Sequence, residues 1–204
     1  MKISTRILAT TSIAVLLAGC DNNSSSTTTP VVPTPPAGYT SFADIIVDGD
    51  ALQDKYTDAN GLLLPGIMPA DEADIPDVGS ATYDGFISGD VGGSTLIGQL
   101  TVEAAFDTNT IDSTATNFFH ETDGAYTGDL TGAGLLDQDP LPGVSQVSTN
   151  LDGTLSNGGT DYATSIALEG DIIANGTDPI GGVAGFADGL VGAEFFTGVF
   201  AAER

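Results

Sequence analysis

An all-β fold, an eight-stranded antiparallel up-and-down barrel, follows from three features of this 204-residue chain. From Ala81 onward the hydropathy alternates with period two, the signature of strands buried on one face. Turn signals separate the alternating runs at the short spacing of a meander. Glycines recur inside the runs, where they are costly unless the strand must coil or approach a neighbour closely.

The clearest runs place Leu96, Gly98, Leu100, Val102, Ala104 and Phe106 on one face. Tyr162, Thr164, Ile166, Leu168, Gly170 and Ile172 form a second, and Phe196, Gly198, Phe200 and Ala202 a third. Shorter candidate strands run over 83–90, 111–119, 126–133, 144–155 and 183–188. Turn signals stand at 107–109, 121–124, 157–159 and 175–179; the pairs Gly158-Gly159 and Gly181-Gly182 precede no helical pattern and read as turns, not phosphate cradles. The face opposite the core carries Gln99, Glu103, Glu169 and Asp171. That is unlike the lipid-facing apolar band of a transmembrane barrel, so a soluble barrel is expected.

Ahead of the barrel region, 79–204, residues 41–56 carry a helical pattern. Ser41 and Asp44 stand at capping-box spacing, and Phe42, Ile45, Ile46, Leu52 and Tyr56 fall near one face. Gly49 weakens the helix by about 1 kcal/mol relative to alanine. Asp48, Asp50 and Asp54 fail the calcium-loop pattern, because Leu52 and Gln53 stand where an oxygen ligand and a glycine are needed; a solvated acidic face is expected. Residues 57–78, with prolines at 65, 69 and 76, read as an extended connector.

The N-terminus reads as an address. Lys2 and Arg6 precede an apolar run of about 11 residues, too short for a membrane span of about 20 and suited to a secretory signal over 1–19. It ends in Leu17-Ala18-Gly19-Cys20, which resembles the bacterial lipobox, and implies that Cys20 is lipidated and becomes the first mature residue. Anchoring then comes from buried acyl methylenes, at about 0.8 kcal/mol each. Residues 20–38 follow as the lipidated cysteine and a disordered tether, polar and then proline-rich, unable to bury enough apolar surface to offset ordering. The expected location is the cell envelope, at the outer membrane or cell surface. Asp21 resembles an inner-membrane retention signal of some enterobacteria, a rule that does not hold across bacteria.

Charge excludes whole classes. There are 28 acidic residues, four basic ones, one histidine and one cysteine. Four cations cannot make a nucleic-acid-binding surface. One cysteine makes no disulfide framework, and no structural zinc site can be assembled. Loss of the signal leaves Lys55 and Arg204 against all 28 acids, 26 net negative charges. No active site is expected: His120 is the lone imidazole, expected to be solvated at a strand end, with no nucleophile elbow and with Gly124 where an HExxH motif needs its second histidine. No cofactor or metal is expected.

Signal, lipobox, tether and glycine-rich barrel together resemble the transferrin-binding-protein-B-like β-barrel lipoproteins. The likeness rests on Gly185, Phe186, Gly189, Ala193, Glu194, Gly198, Val199 and Phe200 in the closing segment, and on Gly79–Gly85 in the opening strand. Ala187-Asp188 departs from the family pattern, which has a second aromatic there. The resemblance implies the barrel, a surface-exposed lipoprotein and a binding role. Family members that bind transferrin have two lobes and this chain has room for one barrel, so transferrin binding is not implied. The expected partners are the membrane, through the anchor, and a protein or a small apolar ligand; a structural envelope lipoprotein without a ligand is the alternative. An interior of Leu, Phe and Ile would fill itself, whereas one of Gly and Ala would leave a lipocalin-like cavity.

Overall fold

The computed structural model describes residues 38–58 and 60–204; the signal segment, Cys20 and the tether up to residue 37 lie outside the described residues. A helix, α1 (Phe42–Tyr56), is followed by a single 3₁₀ turn at Glu72–Asp74 and by nine strands. These are β1 (Ser80–Val91), β2 (Ser94–Ala105), β3 (Thr110–His120), β4 (Gly124–Ala125), β5 (Leu130–Leu136), β6 (Val147–Asn157), β7 (Thr160–Asn175), β8 (Asp178–Val191) and β9 (Glu194–Glu203). Every pairing is antiparallel, and β1 pairs with both β2 and β9, so the eight long strands close in a ring. The two-residue β4 pairs only with the end of β3.

The register fixes the width of the ring. From Ser80, paired residues lead through Ala105, Thr110, Leu135, Ser148, Glu169, Phe186 and Val199 and return to β1 at Ser88, eight residues along. Eight strands with a shear of eight give a strand tilt of about 36° and an interior that layered side chains fill. Fully buried Tyr83, Phe118, Phe196 and Phe200 occupy it with Leu96, Leu100, Ile111 and Leu130. One end is plugged by Ala70 and Ile75 of the connector and by Phe106, which join the interior cluster. At the other end the ring of Tyr126 lies 6.1 Å from that of His120 and 5.6 Å from that of Tyr162.

Glycine permits this narrow closure. A Cβ on Gly198 would run into the Ser88 carbonyl, and one on Gly132 into that of Asn150. The hairpins at Gly92-Gly93 and Gly158-Gly159 place both loop residues at positive φ, as type I′ turns require. Gly181-Gly182, in contrast, are not a turn: both lie inside β8, opposite the irregularity between Ile173 and Asn175 on β7. There Gly181 is so crowded that a Cβ would sit 2.6 Å from that of Asn175.

Other boundaries shift for local reasons. The expected strand over 126–133 begins only at Leu130, because 126 and 127 are spent on bridging β3 and β6 across the rim. The expected strand over 144–155 begins at Val147, since Pro140, Pro142 and Gly143 hold the preceding loop away from the sheet. The connector is not simply extended: Thr57 bridges to Leu63, and Pro69 bridges to Ile173 on β7.

Phe200 is the sharpest test of the filled interior. Phe200→Ala is expected to cost about 3 to 5 kcal/mol, read as a fall in the urea midpoint at unchanged slope.

Candidate functional site

With the interior occupied, the surfaces that can receive a partner lie on the outer wall, and α1 shapes them. Ser41 caps the helix, its Oγ accepting from the Asp44 amide at 3.3 Å and donating to the Asp44 carboxylate at 2.7 Å. Ile45 and the flanking Phe42 and Ile46 pack on Phe86, Ile97 and Phe119, which project outward from β1, β2 and β3. Tyr56 packs on Ile173, Ala184 and Ala201. The wall is therefore not uniformly polar; an apolar stripe crosses it beneath the helix. Gly49, a weak point by propensity, is the contact point: a Cβ there would collide with the Ile97 side chain.

Buried polar groups fix the helix in place. Gln53 accepts a hydrogen bond from Ser88 Oγ at 2.9 Å, and its Nε2 donates toward the Val199 carbonyl at 3.5 Å. At the helix C-terminus Lys55 and Tyr56 both contact the Glu203 carboxylate, and Lys55 also donates to Asn175 at 3.1 Å. At the other end Asn117, in the left-handed region at φ 54°, occupies the bulge between β2 and β3 and donates to Gln99 and to the Tyr39 carbonyl. Gln146 does the same for the connector, donating to the Ala70 carbonyl at 2.9 Å and accepting from the Ile172 amide at 3.1 Å. Sequence reasoning missed Gln53, Ser88, Asn117 and Gln146. The only signal was Gln53 lying one turn beyond Gly49, on the face the helix buries.

Two grooves result, both within the range of about 300–1,000 Å³ common for binding clefts. The first, about 470 Å³, runs between α1 and the outer face of β1 and β9, rimmed by Asp50, Asp54, Asp58, Asp90 and Glu121 over a floor of Gln53, Ser88 and Val199. Burial, and then the neighbouring Asp54, raise the Asp50 pKa. Backbone amides of Asn60 and Leu62 lower that of Asp58. The second groove, about 420 Å³, lies between the connector at 61–69 and the loop at 140–145, over β7 and β8. Its floor holds Glu169 and Asp171, and burial raises the Asp171 pKa against one hydrogen bond from the Gln146 amide.

His120 ends β3 as expected but is buried, not solvated, because the 121–126 segment folds back over it. Its Nε2 faces the Val91 carbonyl at 3.4 Å, and its Nδ1 is shared by Thr122 Oγ1, the Asp123 amide and the Asp123 carboxylate, at 3.2 to 3.3 Å. A triad base needs its nucleophile and its carboxylate on opposite ring nitrogens; here hydroxyl and carboxylate crowd the same one. Among the described residues no group of three or more His, Cys, Asp or Glu side chains could hold a metal ion, and no helix is long and apolar enough to cross a membrane. Comparison of the chain with protein-family models and with curated proteins finds no match.

The acid-rich wall sets two expectations for stability. Carboxyl pKa values raised in the fold, at Asp50 and Asp171, contribute stability that is present at low pH and lost as pH rises through the folded value. Asp58 opposes them. The melting midpoint is expected to rise as pH falls from 7 towards the ordinary carboxyl range, and to rise less in Asp171→Asn. Repulsion among the acids is screened over about 10 Å at 0.1 M salt but about 30 Å at 0.01 M. The midpoint should therefore also climb with sodium chloride; a flat or falling midpoint would mean that the acids are already compensated.

Proposed function

We propose that this chain is a lipid-anchored bacterial envelope protein, held at the outer membrane or cell surface by Cys20, with a non-catalytic binding role on the outer wall of its barrel. The observation that carries the binding part is the filled interior together with the two grooves beside α1 and the connector. A shear of eight and an interior filled by side chains favour a partner met from outside over a lipocalin-like cargo. The anchor rests on Leu17-Ala18-Gly19-Cys20, and the surface location on the likeness of the closing strand to transferrin-binding-protein-B-like barrels. The polypeptide itself repels an anionic bilayer, which leaves the acyl chains as the attachment.

Cys20→Ser tests the anchor: the protein is expected to move from the membrane fraction to the soluble envelope fraction, and retention in the membrane would refute it. Protease added to intact cells is expected to cleave the chain if it is surface-exposed. Envelope proteins recovered by the Cys20→Ser protein, and lost in Leu141→Ser or Asp54→Asn, would tie binding to a groove on the wall.

A further inference from the structure

The second groove differs from the first in having apolar lips. Leu62, Leu141 and Val144 stand 64 %, 76 % and 53 % exposed around it. The connector wall is seated directly on the floor: Gly61, at φ 77°, presses on Phe186 so closely that a Cβ would sit 2.5 Å from that of Phe186. Further along, the connector is tied to β7 by the Ala70 amide and to the end of the facing loop by Gln146, which donates to the Ala70 carbonyl. Glu169 and Asp171, two residues apart, share the outward face of β7, with Phe186 and Ala184 beside them on β8. Exposed leucines over a carboxylate floor serve neither the core nor solubility.

We propose that this groove docks a segment of a partner protein in which lysine or arginine is flanked by large apolar residues. The apolar side chains would lie against Leu62, Leu141 and Val144, and the cation would reach Asp171 and Glu169. Charge complementarity selects this occupant. The half-buried Asp171 accepts one backbone amide and has no cation beside it among the described residues. The chain's own described cations are committed elsewhere, Lys55 to Glu203 and Arg204 to Asp178. Among the described residues a second copy therefore offers no uncommitted cation for this floor, and an anionic membrane is repelled. The inference rests on the binding role proposed above and names where, and to what chemistry, the wall binds.

Fluorescence polarisation of the intact chain in detergent with the labelled peptide Leu-Lys-Pro-Leu-Lys-Leu tests it. Replacing the peptide's leucines by serine, or its lysines by glutamate, is expected to weaken binding about tenfold or more. Leu141→Ser and Asp171→Asn are expected to weaken it about fivefold each, and the outward Asp112→Asn on β3 less than about twofold. Leu141 is on an exposed loop, so its substitution leaves the fold intact. Equal binding of the serine peptide, or equal loss in Asp112→Asn, would show nonspecific attraction to the acidic coat and overturn the proposal. Binding of the glutamate peptide would overturn the cationic occupant. Neither result bears on membrane fractionation of Cys20→Ser or on capture of envelope proteins through the other groove, so failure here is separable from failure of the binding role.

Discussion

The interior of a closed antiparallel sheet is set by strand number and shear together, and in this chain both are eight. The eight-residue return from Ser80 to Ser88 fixes the radius, and the radius decides what the wall can carry inward. Phenylalanine and leucine on some strands must then face glycine or alanine on others. One inward-facing row follows the register through Ala81, Ala104, Ile111, Gly134, Thr149, Leu168, Ala187 and Gly198 and meets β1 again at Gly89, mixing large and small around the ring. A wider shear would leave those small residues facing a void, and a void without partner atoms forfeits the dispersion contacts that hold a core together.

A filled interior moves everything else outward. Helix α1 cannot be a plug, so it lies along the wall, and the wall must be apolar beneath it. Phe86, Ile97 and Phe119 are therefore core residues of a second, smaller kind, buried only because the helix covers them. The Gln53–Ser88 hydrogen bond sits at that seam, where a slipped helix would leave a buried hydroxyl unpaired. Such a loss costs more than the bond contributes when made, so the polar pair specifies position while the apolar stripe supplies adhesion. The grooves are the edges of this seam and of the connector that continues from it.

The barrel was legible because alternation is a local property: inward residues of β2, β7 and β9 can be read two by two without knowing their partners. Helix α1 was legible for the same reason, through Ser41, Asp44 and the spacing of its apolar residues. What could not be read depends on contacts distant in the chain. Phe86 and Ile97 alternate out of the interior and look like exceptions until a helix some 40 residues earlier covers them. His120 looked solvated because nothing in its neighbourhood announces that residues 121–126 fold back over it. Gly181-Gly182 looked like a turn because two adjacent glycines usually are one; the crowding that requires them comes from the bulge on β7. The grooves were illegible altogether, since each joins segments more than 70 residues apart.

Placement of the two described cations follows from the same geometry. Lys55 ends the helix and Arg204 ends the chain, and both meet carboxylates at the strand ends where β7, β8 and β9 converge. Closing a ring brings its first and last strands together, so the end of β9 lies beside β1 and β8 and within reach of α1. Acidic side chains accumulate there, and two cations are placed where local repulsion would otherwise oppose closure. On β7 Lys55 reaches only the terminal Asn175, and neither cation pairs with the carboxylates further back on its outer face. Glu169 and Asp171 thus face outward beside exposed Leu62 and Leu141, where acidic charge and apolar surface meet at a part of the wall that the closure of the barrel did not need.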